Sequence, residues 1–170
     1  MFTARSSGQA AVELAFTLVL LLVLICGSID FGRALNDVQT MADLTRQGSN
    51  LASRGTTLPE AAAAVISGQS GLDLANNGLV IITSVTNNSS VFTITGQASQ
   101  GHLSQSSKIG TGVGTNVTGT LPAAAESSLQ NGQTVFVTEI FYTFAPLTPI
   151  GTLTKNAINL PTTLYNSAYF

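Results

Sequence analysis

From Leu14 to Ile29 the chain carries no charged residue, and only Thr17 and Ser28 bring hydroxyls into an otherwise apolar run. A helix that is apolar on every side is stable only in lipid or inside a bundle. Counted from Ala10 to Ile29, the run has about the ~20 residues a helix needs to cross a hydrocarbon core of roughly 30 Å. Glu13 stands near its head. A carboxylate inside a membrane helix costs roughly 2.5–3.5 kcal/mol unless it finds a partner. Glu13 therefore either snorkels to the headgroups or is neutralised by a neighbouring chain, and the second alternative points to subunit assembly.

A secretory signal peptide is the rival for this segment, with Arg5 as its n-region and Leu14 to Ile25 as its h-region. Glu13 fits poorly at the head of an h-region, and Cys26-Gly27-Ser28 is a poor small-residue cleavage site. Ile25 also stands where a small residue should precede a lipidated Cys26.

Beyond the apolar run the helical pattern continues. Phe31, Leu35, Val38, Met41 or Ala42 and Leu44 recur at three- and four-residue spacing, with Asp30, Arg33, Asp37, Asp43, Arg46 and Arg54 largely between them. The spacing predicts one helix to about Ser53, its second half amphipathic and needing a domain to lie on. Gly48 reads as a weak spot and Gly55 as a stop, and Thr57-Leu58-Pro59-Glu60 opens a shorter helix ending at Gly68. Asp30 and Arg33, three apart at the exit of the span, have the spacing of a local ion pair, with an inter-subunit pair as the alternative.

The remainder reads as mainly strand. Leu79 to Thr86 and Val91 to Thr95 flank the turn cluster Asn87-Asn88-Ser89-Ser90 and predict a hairpin. Thr134 to Phe144 is the strongest strand, with Phe136, Ile140, Tyr142 and Phe144 on one face to receive the helix, and a last strand is expected from about Thr162 to Phe170. Between Ser99 and Gln133 lies a Gly/Ser/Thr/Asn-rich stretch with a short helix after Pro122, expected to be mobile or surface-forming. The fold class expected is α+β, a long N-terminal helix packed on a small, mainly antiparallel β domain.

Charge is sparse at 8% of residues against 44% hydrophobic, where soluble domains average about 25% charged. After Arg54 only Glu60, Asp73, Lys108, Glu126, Glu139 and Lys155 remain, which leaves a neutral, hydroxyl-rich surface suited to dense packing of copies. A net charge of −2 without a basic cluster argues against nucleic acid. The single Cys26 allows no intrachain disulfide. His102 is the only histidine and has no second metal ligand or catalytic partner in view, and Gly110-Thr111-Gly112-Val113-Gly114 has no Lys-Ser/Thr after it to make a phosphate loop. No enzyme, metal or cofactor is expected. Asn-x-Ser/Thr triplets at Asn87, Asn88 and Asn116 are at the frequency this composition gives by chance.

Several of these features occur together in one known family. A leader ending in Gly8, then Gln9-Ala10-Ala11-Val12-Glu13, an apolar helix, Ile29-Asp30-Phe31-Gly32-Arg33 at its exit and Leu51-Ala52-Ser53-Arg54-Gly55 at the end of the amphipathic part resemble the TadE-like pilins of tight-adherence secretion systems. The resemblance returns at Tyr142-Thr143-Phe144-Ala145-Pro146-Leu147-Thr148-Pro149-Ile150. It implies three parts: a prepilin-type leader over residues 1–8, the helix over 9–54, and a β-rich domain over 55–170. It also implies a prepilin peptidase that cuts between Gly8 and Gln9, leaving Glu13 fifth, and an inner-membrane assembly machinery. The precursor would reside in the bacterial inner membrane and the mature chain in an extracellular filament of its own copies. Once Gly8 is removed, the new amine at Gln9 and the carboxylate at Glu13 are opposite charges at the top of an apolar helix. A neighbour shifted along a filament axis satisfies both, and the mismatch of any other shift sets axial register.

Three functions follow from the sequence: a filament-forming pilin-like subunit, a membrane-anchored minor pseudopilin that primes or caps a filament, and a secreted β-rich binding module. The assembly residues expected for the first are Glu13, Asp30 and Arg33.

Overall fold

A computed structural model describes residues 4–68, 71–119, 121, 123–149, 151–152 and 162–170. Helix α1 runs unbroken from Ala4 to Ser53. Contacts divide the chain into two units, Met1–Leu35 with Ala145–Thr162, and Asn36–Phe144 with Thr163–Phe170. The boundary in α1 falls where its buried face begins.

The second unit is built on a four-stranded antiparallel sheet in the order β2-β1-β3-β4. Strands β1 (Gly78–Asn88) and β2 (Val91–Gly101) form the expected hairpin, with β2 extending well past Thr95. Its turn places Ser89 and Ser90 at φ 53° and 71°, the left-handed pair of a type I′ turn. Ser90 N–H donates to Asn87 Oδ1 at 2.9 Å, and Asn87 Nδ2 donates to the Leu129 carbonyl at 2.9 Å. Asn87 is thus a buried turn support, not an accessible glycosylation site. Strand β3 (Thr134–Thr143) pairs with β1 and with β4 (Thr163–Tyr169).

Both faces of the sheet are covered, so β1 is buried along nearly its whole length. On one face Val80, Ile82 and Ile140 pack with Met41, Leu44 and Ala52 of α1 and with Ala61, Ala62 and Val65 of α2 (Leu58–Ser67). A one-turn helix α3 (Leu74–Asn77), capped by the Asp73 side chain, leads into β1. On the other face the excursion after β2 crosses back over the sheet. Ile109, Leu121 and Ala125, the last in α4 (Ala123–Ser128), cover Val85, Val135 and Val137. The Gly/Ser/Thr-rich stretch expected to be loose therefore supplies core, and its segment 114–117 bonds along the outer side of β2.

Gly48 does not weaken α1. A Cβ there would lie 2.8 Å from Thr138 Oγ1 and 3.0 Å from Val65 Cγ2, so at this residue helix, sheet and α2 approach closely. Gly55, at φ 93°, is the stop. Thr56 N–H bonds to the Leu51 carbonyl and Gly55 N–H to that of Ala52, the paired bonds of a Schellman ending. The apolar stripe is shifted from its expected position. Phe31 and Leu35 are 66% and 47% exposed, and the buried face is Met41, Leu44, Thr45, Gly48, Ser49 and Ala52. Small and hydroxyl residues bring the helix backbone close to β3 and β4, which large apolar ones would not allow.

Candidate functional site

The first unit carries the surface most in need of a partner. Every large apolar side chain from Val12 to Ile25 is at least 43% exposed, with Phe16 at 75% and Leu14 at 66%. Because consecutive residues are exposed, the apolar surface surrounds the helix. None of its most apolar window is buried by the chain itself, and by length and composition the helix is fit to cross a membrane. Its two hydroxyls need no outside partner: Thr17 donates to the Glu13 carbonyl and Ser28 to the Leu24 carbonyl, each at 2.8 Å. Such back-bonding keeps a polar side chain compatible with an apolar layer.

Glu13 is different. Its Oε1 accepts a 3.3 Å hydrogen bond from Gln9 Nε2 one turn earlier, a neutral and exposed partner that leaves the charge uncompensated. Among the residues whose side chains are described, Gly8 onward, no cation lies within ion-pair distance of it. Gly8 and Gln9 lie within α1 and are exposed, and a Cβ at Gly8, Gly27 or Gly32 would meet nothing within 4 Å.

Asp30 and Arg33 turn toward another segment of the same unit. Asp30 is 8% exposed. Its Oδ1 accepts from the backbone N–H groups of Leu147 at 2.9 Å and Thr148 at 3.3 Å, and its Oδ2 accepts from the Thr148 hydroxyl. The Arg33 guanidinium donates to the Ala145 carbonyl at 3.5 Å. Bonds to an ionised group are worth about 1.5–3 kcal/mol each, so three of them offset the burial of the carboxylate. Thr148 Oγ1 also receives Gly151 N–H at 3.1 Å. A Cβ on Gly151 would fall 2.1 Å from Asp30 Oδ2, so only glycine fits there. The helix exit and the Pro-rich segment, the two stretches linked by resemblance, are joined through the Asp30 carboxylate and the Arg33 guanidinium. Sequence spacing pointed to an Asp30–Arg33 pair and missed Thr148 and Gly151, whose partner lies more than a hundred residues away.

The other residues singled out are placed less suggestively. His102 Nδ1 lies 2.9 Å from the Ala75 carbonyl, which requires the proton on Nδ1. Cys26 is a free thiol in the apolar helix. Among the described residues no three of His, Cys, Asp and Glu converge as a metal set. The loop at Gly110 to Gly114 uses positive φ at Gly110, Gly112 and Gly114 to follow the edge of β2.

Residues 8–50 match the family model for TadE-like protein. No curated protein and no solved structure matches the chain.

Proposed function

From an N-terminal helix with the TadE-like pattern of tight-adherence pilus proteins, we propose that this chain is a pilin-like structural subunit. It self-assembles through that helix into an extracellular filament. The observation that carries this is the all-round exposure of Val12 to Ile29 with an uncompensated Glu13 at its head. Lipid covers the helix before assembly, and the helices of neighbouring copies replace lipid in the filament. At about 25 cal/mol per Å2 such burial supplies tens of kcal/mol gross before ordering costs. A prepilin peptidase releases the leader after Gly8, and the resulting Gln9 amine of one copy neutralises Glu13 of the next. The role is architectural rather than catalytic, and the partners are further copies, the peptidase and the inner-membrane assembly machinery.

The test is electron microscopy and intact-mass measurement of extracellular material sheared from cells. Filaments containing this chain without Met1 to Gly8 are the expected result. Glu13→Ala should leave membrane insertion intact, since the helix becomes more apolar. It strands the partner amine in the apolar layer at about 3–5 kcal/mol per contact, so filament yield should fall more than a hundredfold by about the same arithmetic. A chain found only as a dispersed membrane protein, or Glu13→Ala filaments of normal register and yield, would defeat the proposal.

A further inference from the structure

The two edges of the sheet are treated unequally. At β2, Thr95 is the extra residue between the pairs Ser84↔Gly96 and Val85↔Ile94, a bulge of the kind that blunts an edge. The segment 114–117 also takes up its outer groups: Ile94 N–H donates to the Thr115 carbonyl at 2.9 Å, Gly114 N–H to the Ile94 carbonyl at 2.7 Å, and Val117 N–H to the Phe92 carbonyl at 2.8 Å.

At β4 none of these devices is present among the described residues. Its sequence, Thr163 to Tyr169, has no charge, proline or glycine, and its pairing with β3 has no register break. Phe136 and Phe170 exchange both backbone bonds at 3.0 Å. Bonded and non-bonded pairs alternate in an antiparallel ladder, so Leu164, Asn166 and Ala168 bond to β3. The N–H and C=O groups of Tyr165, Ser167 and Tyr169 point away from the sheet, and no described residue bonds to them.

A groove of about 850 Å3 follows this edge, lined by Tyr165, Ser167 and Tyr169 with Arg46 from α1 and Lys108 from the excursion. Its charges are positive in a chain of net charge −2. Lys108 Nζ lies 3.5 Å over the Tyr165 ring, and among the described residues no carboxylate is within ion-pair distance of it. Among the described residues Arg46 pairs only with Asp43, at 3.9 Å with both side chains largely exposed, a contact worth little.

We propose that the β4 edge is a strand-addition site for an extended, carboxylate-bearing peptide segment of a partner protein. Main-chain bonds to Tyr165, Ser167 and Tyr169 supply affinity, and Arg46 and Lys108 select acidic side chains from the added strand. The site lies within one unit, residues 36–144 with 163–170, and is independent of how the N-terminal helix assembles.

The test uses the full chain in detergent micelles and a capped ten-residue peptide of alternating threonine and glutamate, with a threonine–lysine peptide as control. Backbone amides of Tyr165, Ser167 and Tyr169 should exchange rapidly in the free protein and become protected when the acidic peptide binds. Arg46→Glu, at an exposed position, should weaken binding by roughly three- to tenfold. Ser167→Pro should abolish it, because the N–H it removes faces outward and the β3–β4 ladder is spared. If Ser167→Pro also loses amide protection at Ile140, the fold has suffered and Arg46→Glu carries the test. Equal binding of the lysine peptide, or binding without protection at the three amides, overturns the proposal. Tighter binding of an acidic polysaccharide that leaves those amides exchanging also overturns it and assigns the groove to carbohydrate.

Discussion

Glu139 is fully buried in the middle of β3, and what surrounds it explains how a poorly structured-looking stretch became part of the core. Its carboxylate accepts from the Ser107 hydroxyl, from Lys108 N–H at 2.9 Å and from the Tyr165 hydroxyl at 3.0 Å. These bonds pin the excursion after β2 to the second face of the sheet. Alternation along β3 placed Glu139 opposite the helix-facing residues, but nothing local showed that residues 107–109 would cover it. Its partners are about 30 positions away in either direction. Glu139→Gln should cost about 2–3 kcal/mol by chemical denaturation, since an amide cannot accept from all three donors. Tyr165 provides a second readout. Burial pushes its phenol up to about 12, the Glu139 carboxylate adds to the rise and the Ser167 hydroxyl opposes it. A folded-state pKa above the unfolded value near 10 gives stability that is present below pH 10 and lost as pH rises toward about 12. Tyrosinate absorbance of Glu139→Gln should therefore show one tyrosine titrating earlier than in the wild type, with a narrower window of alkaline destabilisation.

At the scale of elements, the helix, hairpin, central strand and last strand were legible because each has a strong period or turn signal of its own. The hydrophobic face of α1 was legible only in part. Periodicity favoured Phe31 and Leu35 because they are large and apolar, whereas the sheet selected Thr45, Gly48 and Ser49 because they are small. Ser49 Oγ lies 2.8 Å from the Ala168 carbonyl and 2.9 Å from Thr138 Oγ1, and Thr45 Oγ1 lies 3.2 Å from Asn166 Oδ1. A hydroxyl row that bonds to a sheet looks, in sequence, like a row that faces water. Gly48→Ala tests whether close approach is the point. In an isolated helix the change is worth up to about 1 kcal/mol of stabilisation. Here the new methyl meets Thr138 within 3 Å, and overpacking of this kind costs about 1–3 kcal/mol. Denaturation should show Gly48→Ala less stable than wild type, with Gly48→Ala/Thr138→Ser recovering part of the loss. A stabilised Gly48→Ala would show that helix and sheet are not in close contact.

At the scale of the whole molecule, the sequence reading puts the helix over 9–54 and the β-rich domain over 55–170, with the second half of the helix lying on that domain. Contacts group Asn36 to Ser53 with the sheet, because Met41, Leu44 and Ala52 are 0%, 4% and 2% exposed in the main core. This decides where the chain can be cut. Removing residues 1–54 deletes a Met and a Leu from a packed core, each worth about 2–5 kcal/mol with the cavity left behind, and also the hydroxyl contacts of Ser49. That sum is comparable to the 5–15 kcal/mol that holds a typical domain together. Removing residues 1–35 takes the apolar surface and the Asp30 anchor of segment 145–152, and leaves every α1 residue of the core in place. A chain of residues 36–170 should therefore be water-soluble and monomeric with a cooperative unfolding transition. Residues 55–170 should show no such transition and should aggregate. Sedimentation and thermal unfolding of the two fragments decide the point. Cooperative folding of 55–170 would refute the placement of α1 in the core. Filaments formed by 36–170 would instead refute assembly through the N-terminal helix, since that fragment lacks Glu13 and the entire apolar run.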